Sequence, residues 1–248
     1  MKALFTAISF LFLMNTVIAQ QVVYEVRYAH HPLDAKDYDT EKLRKEFRIE
    51  TVFTSDKINM VYTMYDRFIV GGAMPVEKEL KLETIETLKA PNFLHRREIG
   101  IVNVGDPGIV KVGEIEYELG FKEALYVGSG THEIVFRSNN KDTPSKFCFN
   151  SAPAHKSCPV KKITKKDAKT IQAGSPGESN ARTIYQLIVA ETVEVCQLQM
   201  GGRMKSVSCL LFVQFVAAVK ILLNCRFNFF LTFCQLFSLG FFVGFQSL

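Results

Sequence analysis

The side chains that could do chemistry are few and scattered. The histidines are His30, His31, His95, His132 and His155. No two stand at the His-x-His spacing that puts both imidazoles on one side of a strand, and none belongs to an HExxH helix, so metal ligation has no local signature. His95-Arg96-Arg97-Glu98 is the densest polar group. It reads either as an Arg–Glu pairing at a surface or strand end, or as a contact for a substrate anion. Asp66-Arg67, between two apolar runs, reads as a turn pair. For a substrate carboxylate the candidates are Arg182, for its charge, and His155, which follows Ala152-Pro153-Ala154 at a chain bend. The alternative for His155 is a loop histidine held by structural hydrogen bonds. No phosphate-binding glycine loop, nucleophile elbow or Cys/His dyad stands out.

Cysteine usage leaves the redox compartment open. Cys148, Cys158 and Cys196 lie in the body and Cys209, Cys225 and Cys234 near the C-terminus, with no CxxC. An odd number in the body argues against a full disulfide framework. A Cys148–Cys158 bridge and buried free thiols remain the two readings.

Charge is distributed unevenly. Of the 30 Lys and Arg, Lys2, Arg203, Lys205, Lys220 and Arg226 lie outside residues 20–200, whereas all 25 Asp and Glu lie inside. The body is therefore neutral, and the pI near 8.8 comes from the ends. Lys161-Lys162 and Lys165-Lys166 form the one local basic cluster and run into a Gly/Ser/Pro stretch, so they read as a solvated linker. A nucleic-acid partner is not indicated.

The elements that must position these groups are mostly strands. Asp39 precedes Leu43 and Phe47 at a spacing of four, which predicts one short capped amphipathic helix. Beyond it the period becomes two. Ile58–Tyr65, Arg67–Val70, Ile99–Val104, Ile109–Val112, Ile115–Leu119, Ala124–Val127 and Glu133–Phe136 are short runs rich in β-branched and aromatic residues. Gly105-Asp106-Pro107-Gly108 is a turn, Gly113-Glu114 fits a two-residue hairpin with glycine first, and Gly71-Gly72 bounds a strand. The pattern predicts an all-β sandwich or barrel, with Phe47 to Ala154 long enough for one jelly roll. Lys161 to Asn180 reads as a linker or long loop. Arg182–Val189 and Glu191–Leu198 resume a strand-like pattern.

Both ends differ from the body. Lys2, the apolar run Ala3–Met14 and Val17-Ile18-Ala19 have the three parts of a secretory signal, with a mis-chosen start as the alternative. After Met200-Gly201 no acidic residue appears and Phe, Leu and Val dominate. Ser208–Asn224 and Phe227–Phe245 are each about long enough to span a bilayer, which makes a membrane contact through the tail one reading. A shifted reading frame is the other and is favoured, because codons with a central T encode Phe, Leu, Ile, Met and Val.

Val26-Arg27-Tyr28-Ala29, Leu43-Arg44-Lys45-Glu46-Phe47, Met60-Val61-Tyr62, Tyr65-Asp66-Arg67-Phe68-Ile69-Val70-Gly71-Gly72-Ala73-Met74-Pro75, Arg96-Arg97-Glu98-Ile99-Gly100, Ala124-Leu125-Tyr126-Val127-Gly128, Ala152-Pro153-Ala154-His155 and Cys196-Gln197-Leu198-Gln199-Met200-Gly201 occur in this order. Together they resemble the N-terminal two-thirds of the 5-keto-4-deoxyuronate isomerase family. The resemblance implies a bicupin of two jelly rolls, a homo-oligomer (a hexamer), and an aldose–ketose isomerisation of a uronate in pectin degradation. It also implies a zinc held by a His-x-His-x4-Glu motif and a later His in the second cupin. That motif should follow Gly201, but Gly202-Arg203-Met204-Lys205-Ser206-Val207 stands there and no histidine follows His155. No metal ligand of the family can be assigned to this sequence.

The expected organisation is a signal peptide at 1–19, an N-terminal cupin-like domain at 20–160, a linker and the start of an incomplete second cupin at 161–200, and the apolar tail at 201–248. The expected function is that of the isomerase family, inactive in this chain, with a periplasmic or secreted location if the signal acts and a cytoplasmic one otherwise. The alternative is a non-catalytic exported cupin-like module for binding a uronate or for oligomerisation, tethered to a membrane by the tail.

Overall fold

The alternating runs of the middle of the chain form two facing sheets. The computed structural model describes residues 22–130, 132–175, 181–205 and 212–215. The signal expected at 1–19 and most of the apolar tail lie outside the described residues. In chain order the strands are β1 (Val22–Arg27), β2 (Ile58–Thr63), β3 (Ile69–Ala73), β4 (Leu80–Lys81), β5 (Arg97–Asn103), β6 (Gly108–Val112), β7 (Ile115–Leu119), β8 (Ala124–Val127), β9 (Ile134–Ser138), β10 (Phe147–Pro153), β11 (Lys161–Ile163), β12 (Lys169–Ala173), β13 (Arg182–Ile188), β14 (Met200–Lys205) and β15 (Phe212–Phe215). A seven-stranded sheet has the order β1-β2-β3-β10-β5-β8-β11, and a four-stranded sheet the order β4-β9-β6-β7. This is the all-β sandwich that the alternating runs predict.

The helix expected after Asp39 is α2, Thr40–Phe47, preceded by the single turn α1, Pro32–Ala35. The Asp39 side chain accepts the Lys42 N–H at 2.7 Å, satisfying one of the donors that a helix start leaves open. Asp66 and Arg67 both have positive φ, 52° and 53°, and turn β2 into β3. Val112 pairs with Ile115 across Gly113-Glu114, and Gly113 has φ +60°, so the expected hairpin forms. Gly71-Gly72 does not bound a strand, since both lie inside β3. The reason is steric: a Cβ on Gly71 would run into the Phe149 ring.

The large sheet is buried on both faces, which is why β5, β8 and β10 read as nearly continuous apolar runs. One face carries Ile58, Met60, Ile99, Ile101, Phe147 and Phe149 against Val110, Val112, Ile134 and Phe136 of the small sheet. Its interior is filled, with Phe136 and Phe149 stacked at 6.2 Å between ring centroids. The other face carries Val102, Ala124, Tyr126 and Ala152 against Leu187, Ile188, Leu198 and Met200.

The stretch expected as a linker contains two strands. Lys161–Ile163 pairs with β8 as an edge of the large sheet, and Lys169–Ala173 pairs with β13 in a further sheet ordered β12-β13-β14-β15. An edge strand tolerates the lysines that suggested a linker, and Lys162 Nζ meets Glu123 at 2.7 Å. Glu191–Leu198 is not a strand. Its turn is closed by Thr192, whose hydroxyl donates to Leu187 O at 2.7 Å. The change of composition at Gly201 falls inside β14, which pairs with β13 on one side and β15 on the other. No helix among the described residues is long and apolar enough to cross a membrane.

Candidate functional site

The polar group at residues 95–98 is taken apart by strand geometry. Arg97 and Glu98 are neighbours in β5, and successive strand side chains point to opposite faces, so they cannot pair with each other. Both are buried, at 5% and 0% exposure, which overturns the expectation of a surface or strand-end Arg–Glu pair. Arg97 lies on the filled side. Its Nε donates to Ser151 Oγ at 3.0 Å, and one terminal nitrogen donates to Arg67 O at 2.7 Å and Ser151 O at 2.8 Å. Burial lowers its pKa to about 10. It ties β5 and β10 to the β2–β3 turn through these three bonds.

Glu98 points the other way, into the layer beneath residues 187–200. Its carboxylate accepts the Tyr126 hydroxyl at 2.5 Å and the backbone N–H groups of Cys196, Gln197 and Leu198 at 2.9, 2.6 and 2.5 Å. A buried carboxylate is tolerated when it is met by this many donors. These bonds take the N–H groups that a strand at Glu191–Leu198 would have given to a neighbour. The Tyr126 phenol is pushed above the ordinary tyrosine range, first by burial and then by its bond to Glu98. Sequence reasoning missed Glu98 as a hub. The available signal was its register with Gly100 and Val102 on a strand buried on both faces.

His155, just beyond β10, is brought to this segment. Its Nδ1 lies 3.2 Å from Cys196 Sγ, a thiol–imidazole pair whose members are 41 positions apart and so have no sequence signature. Lys156 beside it pairs with Glu194 at 3.1 Å. The Lys156 ammonium is held above its usual range, first by the Glu194 bond and then by the Cys158 sulfur, with a smaller contribution from Cys196. Cys148, Cys158 and Cys196 are free thiols, so the Cys148–Cys158 bridge does not form. Cys158 is buried against Tyr126, and burial raises its thiol.

Arg182 is not placed with His155. It opens β13 opposite Ala173 and Lys205, about 20 Å along the strand from Ile188, the residue that reaches the core. Two of the remaining histidines serve elsewhere. His30 bridges the Tyr38 hydroxyl at 2.9 Å and Glu46 at 3.2 Å, and His31 accepts the Leu33 N–H at the start of α1. Among the described residues no group of three or more His, Cys, Asp and Glu could hold a metal ion. His155 and Cys196 supply two donors, Glu194 is engaged by Lys156, and that ammonium would oppose a dication. These residues do not fit zinc.

A family model described as KduI/IolB matches residues 48–206, which include β2 to β14, Glu98, Tyr126, His155 and Cys196. The chain belongs to the KduI/IolB family. Among curated relatives, the 4-deoxy-L-threo-5-hexosulose-uronate ketol-isomerase of Bacteroides fragilis is 53% identical over 178 residues, 72% of this chain and 64% of that protein. The enzyme of the same name from Halalkalibacterium halodurans is 45% identical over 177 residues, 71% of this chain and 64% of that protein. The chain thus spans 64% of the length of these relatives. Among solved structures, an IolB-like protein of Salmonella typhimurium overlaps 55% of this chain and 49% of its own, at 16% identity and a TM-score of 0.41. Within the stretch matched to the family, Glu98 fixes the segment that leads into β14.

Proposed function

We propose that this chain carries the N-terminal scaffold of a uronate ketol-isomerase of the KduI/IolB family, and that this lobe orients the start of the second lobe. The reaction would convert 4-deoxy-L-threo-5-hexosulose uronate to 3-deoxy-D-glycero-2,5-hexodiulosonate in polyuronide breakdown. The relatives' names support the substrate. The observation that carries the scaffold role is the Glu98 carboxylate, which holds the N–H groups of residues 196–198 against the large sheet immediately before β14.

The isomerisation moves a proton between adjacent carbons through an enediol, so it needs a base beside the two carbons and a group that stabilises the developing oxyanion. By the resemblance, a zinc held in the second lobe would supply the second as a Lewis acid. The first jelly roll is packed with side chains, and its two buried charged groups, Arg97 and Glu98, make hydrogen bonds that hold the fold together. In this reading the residues that would do the chemistry belong to the second lobe, and the chain as written does not turn over the uronate.

Metal analysis of the purified chain, combined with an assay on the uronate, tests this. The expected outcome is no stoichiometric zinc and no conversion above background. One tightly bound zinc per chain with turnover would overturn the assignment of this lobe as scaffold alone. Reading the DNA downstream of codon 200 for His-x-His-x4-Glu in another frame tests the origin of the tail.

A further inference from the structure

We propose that Cys196 is a modification site, a nucleophilic thiol activated by His155 and oxidised to a sulfenic acid by hydroperoxides. This goes beyond the isomerase reading and does not depend on it.

Two observations distinguish Cys196 from the other described cysteines. Its sulfur stands 3.2 Å from His155 Nδ1, within reach for the imidazole to take the thiol proton. Cys196 is also partly exposed, whereas Cys148 and Cys158 are buried. Burial pushes the Cys148 thiol up to about 12.

The backbone adds orientation. The Cys196 N–H is held by Glu98 at 2.9 Å. The thiol is thus mounted on a fixed turn rather than on a free loop.

The step balances without a protein-borne cofactor. As His155 accepts the thiol proton, the Cys196 sulfur attacks one oxygen of hydrogen peroxide. A sulfur–oxygen bond forms as the oxygen–oxygen bond breaks. The sulfur is oxidised by two electrons and the peroxide reduced. The departing hydroxide takes the proton from the imidazolium and leaves as water. The product is the sulfenic acid, which a second thiol can return to the thiol through a disulfide.

The test is site-resolved trapping. The full chain is treated with hydrogen peroxide in the presence of dimedone, and labelling of each cysteine-containing peptide is followed by mass spectrometry. Cys196 is expected to label at least about tenfold faster than Cys148 and Cys158. His155→Gln should lower the Cys196 rate about tenfold or more while leaving the melting temperature in place, and imidazole added to an H155A chain should restore part of it. Equal labelling of the three cysteines would overturn the proposal. So would an unchanged Cys196 rate in H155Q, because exposure alone would then account for the reactivity.

Discussion

Glu98 Oε1 accepts the Gln197 N–H at 2.6 Å, joining positions 99 apart in the chain. With the bonds from Cys196, Leu198 and Tyr126, this gives one buried anion four donors from two parts of the fold. The arrangement stabilises through directed, charge-assisted bonds rather than through an opposing cation. Each bond draws on the same charge, so the cluster should behave as a unit.

Glu98→Gln keeps the shape of the side chain but removes the charge and turns an amide NH2 toward backbone donors. We expect a loss of about 2–4 kcal/mol in urea unfolding with the m-value unchanged. Hydrogen exchange at residues 196–198 should accelerate more than exchange in β6 and β7, which lie in the opposite sheet. Uniform acceleration across both sheets would show that the carboxylate has no special hold on this segment.

Tyr126 supplies the pH dependence. Its folded pKa lies above the ordinary 10.0 because burial, and next the Glu98 bond, favour the neutral phenol. Above pH 10 the unfolded chain loses this proton while the native chain keeps it. The native state then binds more protons and is favoured less as pH rises. The Tyr126 contribution is complete below 10 and declines at a limiting slope of about 1.4 kcal/mol per pH unit above it. Tyr126→Phe should cost about 1 kcal/mol at neutral pH and flatten the decline. Cys148, raised by burial from 9.0 to about 12, adds a slope of the same sign in both proteins, whereas Cys158 interacts with Tyr126 itself, so the difference between the two curves reports the Tyr126–Cys158 pair. Parallel stability curves from pH 9 to 11 would contradict this account.

Gly100 lets the layer above β5 approach closely. A Cβ there would overlap Met200 Sδ and come within 2.6 Å of Ile188 Cδ1 and 3.0 Å of Leu198 Cδ2. Gly100→Ala should therefore cost about 1–3 kcal/mol through overpacking. Met200→Ala alone should cost roughly 2–5 kcal/mol through the cavity it leaves. Because the new methyl occupies part of that cavity, the double variant should lose less than the two single losses added together, as chemical denaturation of all four proteins would reveal. Simple additivity would mean the two positions are not in contact.

Local elements were legible because their causes are local. Asp39 caps α2, Gly113-Glu114 turns β6 into β7, and the β-branched runs become strands, each fixed by residues a few positions apart. Glu191–Leu198 misled because its apolar content resembles a strand, while its backbone donors go to a carboxylate about 100 positions earlier. Lys161-Lys162 misled because two lysines suit both a linker and a sheet edge. His155 was named for its place at a bend, and its neighbour Cys196, 41 positions away, could not be inferred from spacing. Arg182 was named for its charge, and charge carries no information on position along a strand.

β14 crosses the point where composition changes, so the visible border in the sequence and the border of the hydrogen-bonded ladder lie in different places. A chain trimmed after Met200 to remove the apolar residues would take away the neighbour of Arg182–Gln186 and uncover a row of backbone amides and carbonyls. Anyone shortening this protein for expression would turn an interior strand into a site for self-association. Because β15 covers the other edge of β14, a cut directly after Lys205 would repeat the exposure on β14, so a trimmed chain should keep Phe212–Phe215 as well.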